Sequence, residues 1–268
     1  MNKLQKTIKA ISLIFKKPYL LNNILNSPDI WKEHVIKNYN LHNGLPLVHS
    51  ADLFPNKENS INPYSFSDGG SLITDILLLK NAAANFNKCL FFEFGTWRGE
   101  TTANVASVAK NCFTLNLSDE EMKSLNLSQD YINQIGLFSK EKENIVHLKG
   151  NSLTFNYSEL NTKFDLIFID GNHHYDYVKS DTENTFKYLS HENSIVIWHD
   201  YAYNPEKVRF PVLAGILDGT PEEKHSNLYH VKGTMCAVYI PKNIKGEKLI
   251  PQSVPDFFFE INTKTLKR

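Results

Sequence analysis

The chain reads as an α/β protein, a doubly wound, mostly parallel sheet with a final antiparallel strand and a helical N-terminal extension. Three observations predict this. From Asp68 onward strand-like and helix-like stretches alternate, the pattern of parallel strands joined by helical crossovers. The stretch FDLIFIDG (164–171) is apolar almost throughout, as a strand covered on both faces should be. NLYHV and MCAVYI are separated by only a short turn, which suits an antiparallel pair.

The elements follow in order. The start, LQKTIKAISLIFKKPYLLNNIL, mixes Leu, Ile and Phe with Lys3, Lys6, Lys9, Lys16 and Lys17. Its apolar run is broken by Lys16-Lys17-Pro18 and has no small-residue cleavage site, so a signal peptide is not expected. It reads as an amphipathic helix, packed on the protein or resting on an anionic membrane surface, with packing the favoured reading. NSPDIWKEHVIKNY predicts a helix with Ser27 as N-cap and Pro28 at the first position. LHNGLPLVHSADLFPN, broken by Gly44, Pro46 and Pro55, reads as a long irregular connection. Residues 1–66 are therefore taken as a helical extension or lid, and 67–268 as the main domain.

SLITDILLLKNAAANF has helical spacing. Strands are expected at Cys89–Phe94, Phe113–Leu117 and Ile145–Leu148, then in FDLIFIDG and SIVIWHDY. Helices are expected at Gly99–Ala109, from a Ser118/Glu121 capping box, at Tyr175–Leu189 and around Pro211–Leu217. Lys179, Asp181 and Glu183 are assigned to the exposed face of their helix, and His191 and His225 to the solvated surface.

Composition narrows the function. Lys+Arg and Asp+Glu both number 29 in 268 residues, so no global field attracts nucleic acid. The cysteines Cys89, Cys112 and Cys236 are odd in number and scattered, which argues against disulfides or a zinc site. No segment has the apolar length of a membrane span, and a soluble cytoplasmic protein is expected.

In doubly wound sheets ligands sit beyond the carboxyl ends of the strands, at the switch point. That edge collects Glu93–Gly99, Asn116, Gly150–Ser152, Asp170–His174 and Trp198–Tyr201. In FFEFGTWRGETT (91–102) the glycines Gly95 and Gly99 suggest a ligand lying against the backbone where a strand becomes a helix. A dinucleotide site would need G-x-G-x-x-G, but Glu93 and Arg98 stand where two of those glycines belong. The Glu93 carboxylate would repel a pyrophosphate and suits a cationic ligand instead.

The E-x-G-x-x-x-G pattern of Glu93, Gly95 and Gly99 resembles the first motif of class I S-adenosylmethionine (SAM) dependent methyltransferases. Ile169-Asp170-Gly171-Asn172-His173-His174-Tyr175 and His199-Asp200-Tyr201 resemble the ends of the fourth and fifth strands in one group of them. That group comprises catechol-type and macrocin-type O-methyltransferases and cephalosporin-hydroxylase-like proteins. The resemblance covers roughly 68–240 and implies a Rossmann-like sheet. It also implies a SAM site at Glu93, Gly95, Thr96, Gly99, Thr101, Asn116, Asn151, Ser152 and Asp170. Asn116 and Asn151 stand where the group usually has acids, and an Asn retains a weaker form of each contact.

Methyl transfer to a hydroxyl needs alignment and a route for the acceptor's proton. Asp170 and Asp200 end neighbouring strands and could share a hard cation such as Mg²⁺, the metal position in some members of the group. His173, His174 and His199 lie beside them as candidate bases, and Asp170, His173, His199 and Asp200 are taken as the candidate catalytic residues. Tyr64, Phe66, Trp97, Trp198, Tyr201 and Tyr203 are the candidate aromatic wall for an acceptor. The expected activity is O-methylation of a saccharide or small natural product. A dinucleotide-dependent oxidoreductase and a non-catalytic SAM-binding protein are the alternatives. The expected partner is a small-molecule or glycan acceptor; a second copy of the chain, as a homo-oligomer, stays open.

Overall fold

The computed structural model of the chain describes residues 1–21, 27–54 and 60–267; Pro55 lies outside them. The helices are α1 Lys3–Lys16, α2 Pro28–Tyr39, α3 Ser50–Leu53, α4 Ile73–Ala84, α5 Glu100–Val105, α6 Asp119–Ser124, α7 Gln129–Gln134, α8 Tyr175–Asn184 and α9 Phe210–Gly219. The strands are β1 Leu47–Val48, β2 Leu90–Phe94, β3 Asn111–Asn116, β4 Ile145–Lys149, β5 Phe164–Ile169, β6 Ser190–Trp198, β7 Ala202–Asn204, β8 Lys207–Val208, β9 Leu228–Val231 and β10 Ala237–Tyr239.

Among the described residues, eight strands form one sheet in the order β1-β9-β10-β6-β5-β2-β3-β4. The run β6-β5-β2-β3-β4 is parallel, and β10 is antiparallel to both of its neighbours. The direction of winding reverses between β2 and β5, which places the switch point at Gly95 and Asp170.

Alternation along these strands builds two cores. Phe92 and Phe94 of β2, Ile167 and Ile169 of β5, and Val196 and Trp198 of β6 share one face. Phe91, Leu166, Phe168, Ile195 and Ile197 fill the other. A strand buried on both faces has no polar half, which explains the continuous apolar runs. Each such Phe contributes about 2 kcal/mol by leaving water.

Helix α2 starts at Ser27, whose hydroxyl accepts from Asp29 N–H, with Pro28 at its first position. It docks on α8 and α9 through Asp218, which lies 3.0 Å from His34 Nε2 and accepts from the hydroxyls of Tyr175 (2.6 Å) and Tyr39. Trp31 stacks on Tyr175 at 4.1 Å.

Several sequence expectations need correction. The connection after α2 is not wholly irregular: Leu47–Val48 pairs in parallel with β9, because Leu47 and Val48 bury two apolar side chains at the sheet edge. Helix α1 has no buried residue, so the favoured packing of its apolar stripe on the protein is not what the structure shows. Asp181 is 1 % exposed, since Val178, Asp181, Thr182 and Thr185 share the inward face of α8 and its continuation. His191 Nε2 lies 3.1 Å from Asp165 Oδ1, and His225 Nε2 bonds the carbonyls of Leu217 and Thr220, so both are anchored rather than freely solvated. The three cysteines are free and buried. No helix of the described residues is long and apolar enough to cross a membrane.

Candidate functional site

Strand β2 delivers Glu93 to the core side of the sheet edge, 1 % exposed. Its carboxylate accepts from the hydroxyls of Thr102 and of Thr114 (2.7 Å). Burial pushes its pKa up to about 8; the two hydroxyls offset part of that, and the Asp170 charge adds to it. Thr96 hydrogen-bonds Thr114 at 2.7 Å, and Thr101 meets Ser71 at 3.3 Å.

The loop 95–99 departs from the sequence expectation in one respect. A Cβ on Gly95, at φ +87°, would lie 2.2 Å from the Asp170 carbonyl oxygen, and one on Gly99, at φ +76°, 2.1 Å from Ser139 Oγ. Both glycines are required by the protein's own backbone and side chains, whatever ligand lies outside them. Trp97 also adopts a positive φ of 40°, strain of about 1–3 kcal/mol in a bulky residue, of the kind that clusters at functional sites.

A segment that sequence reasoning missed closes the other wall. Arg98 donates to the carbonyls of Ser67 (3.1 Å) and Asp68 (2.9 Å). Glu100 accepts from Ser65 N–H (2.7 Å), and the Tyr64 hydroxyl donates to the Ser71 carbonyl. Gly69, Gly70 and Ser71 are thereby held against Glu93, Gly95–Thr101 and Asp170, around a narrow pocket of about 20 Å³. Trp97 Nε1 and Arg98 Nε are buried there with no hydrogen-bond partner. The signal in the sequence was the Gly69-Gly70-Ser71 run before α4.

Asp170 also belongs to a second cluster. The ligand atoms of Asp170, His173 and Asp200 lie within 4.8 Å of one another, all half-buried. His173 Nε2 is 3.1 Å from Asp200 Oδ2. His199 Nδ1 is 3.0 Å from Asp170 Oδ1 and 3.3 Å from Asp200 Oδ2, and Arg209 lies 3.4 Å from Asp200 Oδ1. Behind them, fully buried Asp75 bonds His199 Nε2 and the N–H groups of Leu72 and Met235. Burial opposes charge on His199, but Asp170, Asp200 and Asp75 outweigh it and hold its pKa well above the usual value. Burial likewise opposes the Asp200 charge; His199, His173 and Arg209 overcome it and lower the pKa to about 2. Asp200 sits at φ +52°, a left-handed conformation that Asp tolerates better than most residues.

The other predicted residues flank this pair of sites. Asn116, at the end of β3, donates to the Leu117 carbonyl. Asn151, just after β4, accepts from Leu153 N–H, and the Ser152 carbonyl accepts from Tyr157. The six aromatics do not form one wall. Trp198 and Tyr201 are fully buried, the indole donating to Thr182 and the phenol oxygen accepting from Leu45 N–H. Tyr64 meets Phe66 edge-on, and Tyr203 lies 45 % exposed under Arg209 and Lys207.

Residues 92–201 match the Methyltransf_24 family, described as a methyltransferase domain. No curated protein matches the chain. Among solved structures, the chain is similar to an O-methyltransferase from Bacillus cereus in complex with SAH (17 % identity, 65 % of this chain and 84 % of that one, TM-score 0.45). It is also similar to the O-methyltransferase TomG from Streptomyces achromogenes, involved in tomaymycin synthesis and solved with SAM (16 %, 65 % and 83 %, TM-score 0.44). A calicheamicin methyltransferase gives 15 % identity over 63 % of this chain and 79 % of that one, with a TM-score of 0.46. The matched residues 92–201 thus resemble a methyltransferase domain, and they include the acid-glycine turn of Glu93–Gly99 at the switch point.

Proposed function

We propose that this domain transfers the SAM methyl group to a hydroxyl of a saccharide or small natural product. The observation that carries the reading is the double membership of Asp170. It lines the Glu93–Gly99 pocket and belongs to the Asp170–His173–Asp200 cluster, so methyl donor and proton acceptor would meet at one strand end.

The residues fit the cofactor. The buried carboxylate of Glu93, with Asp170, complements an ammonium, and the unpartnered donors Trp97 Nε1 and Arg98 Nε complement a carboxylate. Together they suit the zwitterionic methionine end of SAM. Asn116 would take the ribose, and Asn151 and Ser152 the adenine side.

In the transfer the sulfur–methyl bond breaks as the oxygen–methyl bond forms, and the acceptor's proton must leave. His173, whose side chain is 38 % exposed, is the group placed to take it, with Asp200 at 3.1 Å receiving the imidazolium. His199, buried and already charged, orients Asp170 and Asp200 instead of serving as a base. The two carboxylates and the His173 imidazole also fit a divalent cation such as Mg²⁺, which would supply Lewis-acid activation of the hydroxyl.

The acceptor side is proposed to be the cleft of about 550 Å³ that includes Lys32, Tyr203, Lys207 and Phe210, a volume suited to a sugar-sized molecule. Arg209 links it to the cluster, pairing with Asp200 and covering the Tyr203 ring at 5.4 Å. Residues 1–66 would act as an extension whose last residues, bonded through Asn62 and Ser65 to Asn104 and Glu100, strap the pocket. The test is transfer of labelled methyl from SAM to a panel of saccharides and phenols, with and without EDTA. Turnover on a hydroxyl is expected; turnover confined to amines or thiols would overturn the acceptor class.

A further inference from the structure

Helix α1 is closed at its start by a capping box between Asn2 and Gln5, each side chain bonding the other's backbone N–H. None of its residues is buried, and Ile14 alone is partly covered. Leu4, Ile8, Ile11 and Phe15 are 68, 61, 50 and 83 % exposed. At about 100° per residue these four fall within an arc of about 60°. Lys6 and Lys9 lie on the opposite half, and Lys3 and Lys16 at its borders; Leu13 is the one large apolar residue on the polar side.

Charge identifies the partner. Five lysines precede Pro28 and no carboxylate does, although the whole chain is formally neutral. Two copies pairing through this stripe would bring lysine rows together with no acid to offset them. An anionic bilayer offers the complement to both halves: acyl chains for the stripe and phosphates for the ammonium groups. Lysine stems at the borders can lie along the apolar surface while their heads reach the phosphates.

We propose that α1 docks the protein on an anionic phospholipid membrane, lying in the headgroup layer with Leu4, Ile8, Ile11 and Phe15 turned inward. The helix is too short and too charged to cross, so docking is peripheral and salt-sensitive. The consequence is a methyltransferase domain held at the surface of a membrane.

Vesicle flotation of the full chain tests this, with phosphatidylglycerol–phosphatidylcholine vesicles against phosphatidylcholine alone, at low and high salt. Binding to the anionic vesicles is expected, weakened by salt. The double variant Ile8→Glu/Phe15→Glu should lower partitioning by at least about tenfold. Lys6→Glu/Lys9→Glu/Lys16→Glu should remove the preference for anionic lipid. Both should keep the wild-type unfolding temperature, because every substituted position is exposed. Equal partitioning to both vesicle types, no partitioning, or partitioning unchanged by Ile8→Glu/Phe15→Glu would overturn the proposal. So would lipid-independent self-association abolished by that variant, which would give the stripe to a second copy.

Discussion

Nε2 of His199 lies 3.0 Å from Oδ2 of Asp75, a carboxylate with no exposure and 124 residues distant in sequence. Its other nitrogen faces Asp170 and Asp200, so one buried imidazole joins the start of α4 to the ends of β5 and β6. Removing either partner of such a pair strands a buried charge, at a cost of about 3–5 kcal/mol.

Asp75→Asn is therefore the informative variant, since it keeps an acceptor for one of the two backbone N–H groups. It should unfold about 1–3 kcal/mol more easily in urea. The effect has a pH signature. Folding raises the His199 pKa, so its charge contributes fully below the unfolded value of about 6.5 and is lost as pH rises through the folded value. In Asp75→Asn the contribution should be smaller and its loss complete at lower pH, because only the folded value moves. An unchanged pH dependence of stability would remove Asp75 from the network.

Asp181 gives an opposite kind of prediction. Its carboxylate is buried beside Gly171, and neither oxygen has a partner in hydrogen-bonding geometry. Burial raises its pKa to about 7, which the nearby Ser152 hydroxyl offsets only in part. Its unfolded value is near 4, so the penalty is absent below that pH and grows until pH exceeds about 7. Asp181→Asn should stabilise the protein by about 1–3 kcal/mol at pH 8 and by almost nothing at pH 4. Equal unfolding temperatures at pH 8 would contradict this.

Much of the site was legible because strand ends in a parallel sheet collect residues by topology alone. Glu93, Gly95, Asp170 and Asp200 were found from their places after apolar runs. Asp75 was not, since its partner is remote and an acid in the first turn of a helix is explained by its bond to Leu72 N–H. Asp181 was misplaced because its polarity argued for solvent while its spacing with Val178 and Thr185 argued for the core. Leu47–Val48 is too short to show a period of two. Trp198 and Tyr201 were read as ligand-facing by position, whereas alternation along β6 and the Leu45 bond assign them to the core.

Gly95→Ala should destabilise the fold by about 2 kcal/mol or more, because its Cβ would press on the Asp170 carbonyl at a positive φ. Thermal unfolding checks this, and a variant as stable as wild type would show that the β5 end can yield.

At the cluster, Asp200→Asn is the cleaner substitution, since Asn tolerates φ +52° where Ala is strained. Asp170→Asn and Asp200→Asn should each lose most turnover, and His173→Ala about 10²–10⁴-fold. Inhibition by EDTA with recovery on adding Mg²⁺ would assign the hydroxyl's activation to the cation. Full activity in both carboxylate variants would exclude these residues from the chemistry.

A cationic ligand needs Glu93 ionised, yet burial holds its pKa at about 8. Below that pH binding must expel a proton, so SAM affinity should weaken by up to about tenfold for each unit of decreasing pH. Glu93→Gln should abolish this dependence. Calorimetric titration of the full chain with SAM at pH 8, in parallel with NAD, decides whether the pocket takes this cofactor. One saturable SAM site with a Kd of micromolar order, about −8 kcal/mol, is expected, and no heat with NAD. Binding of NAD without SAM would contradict it.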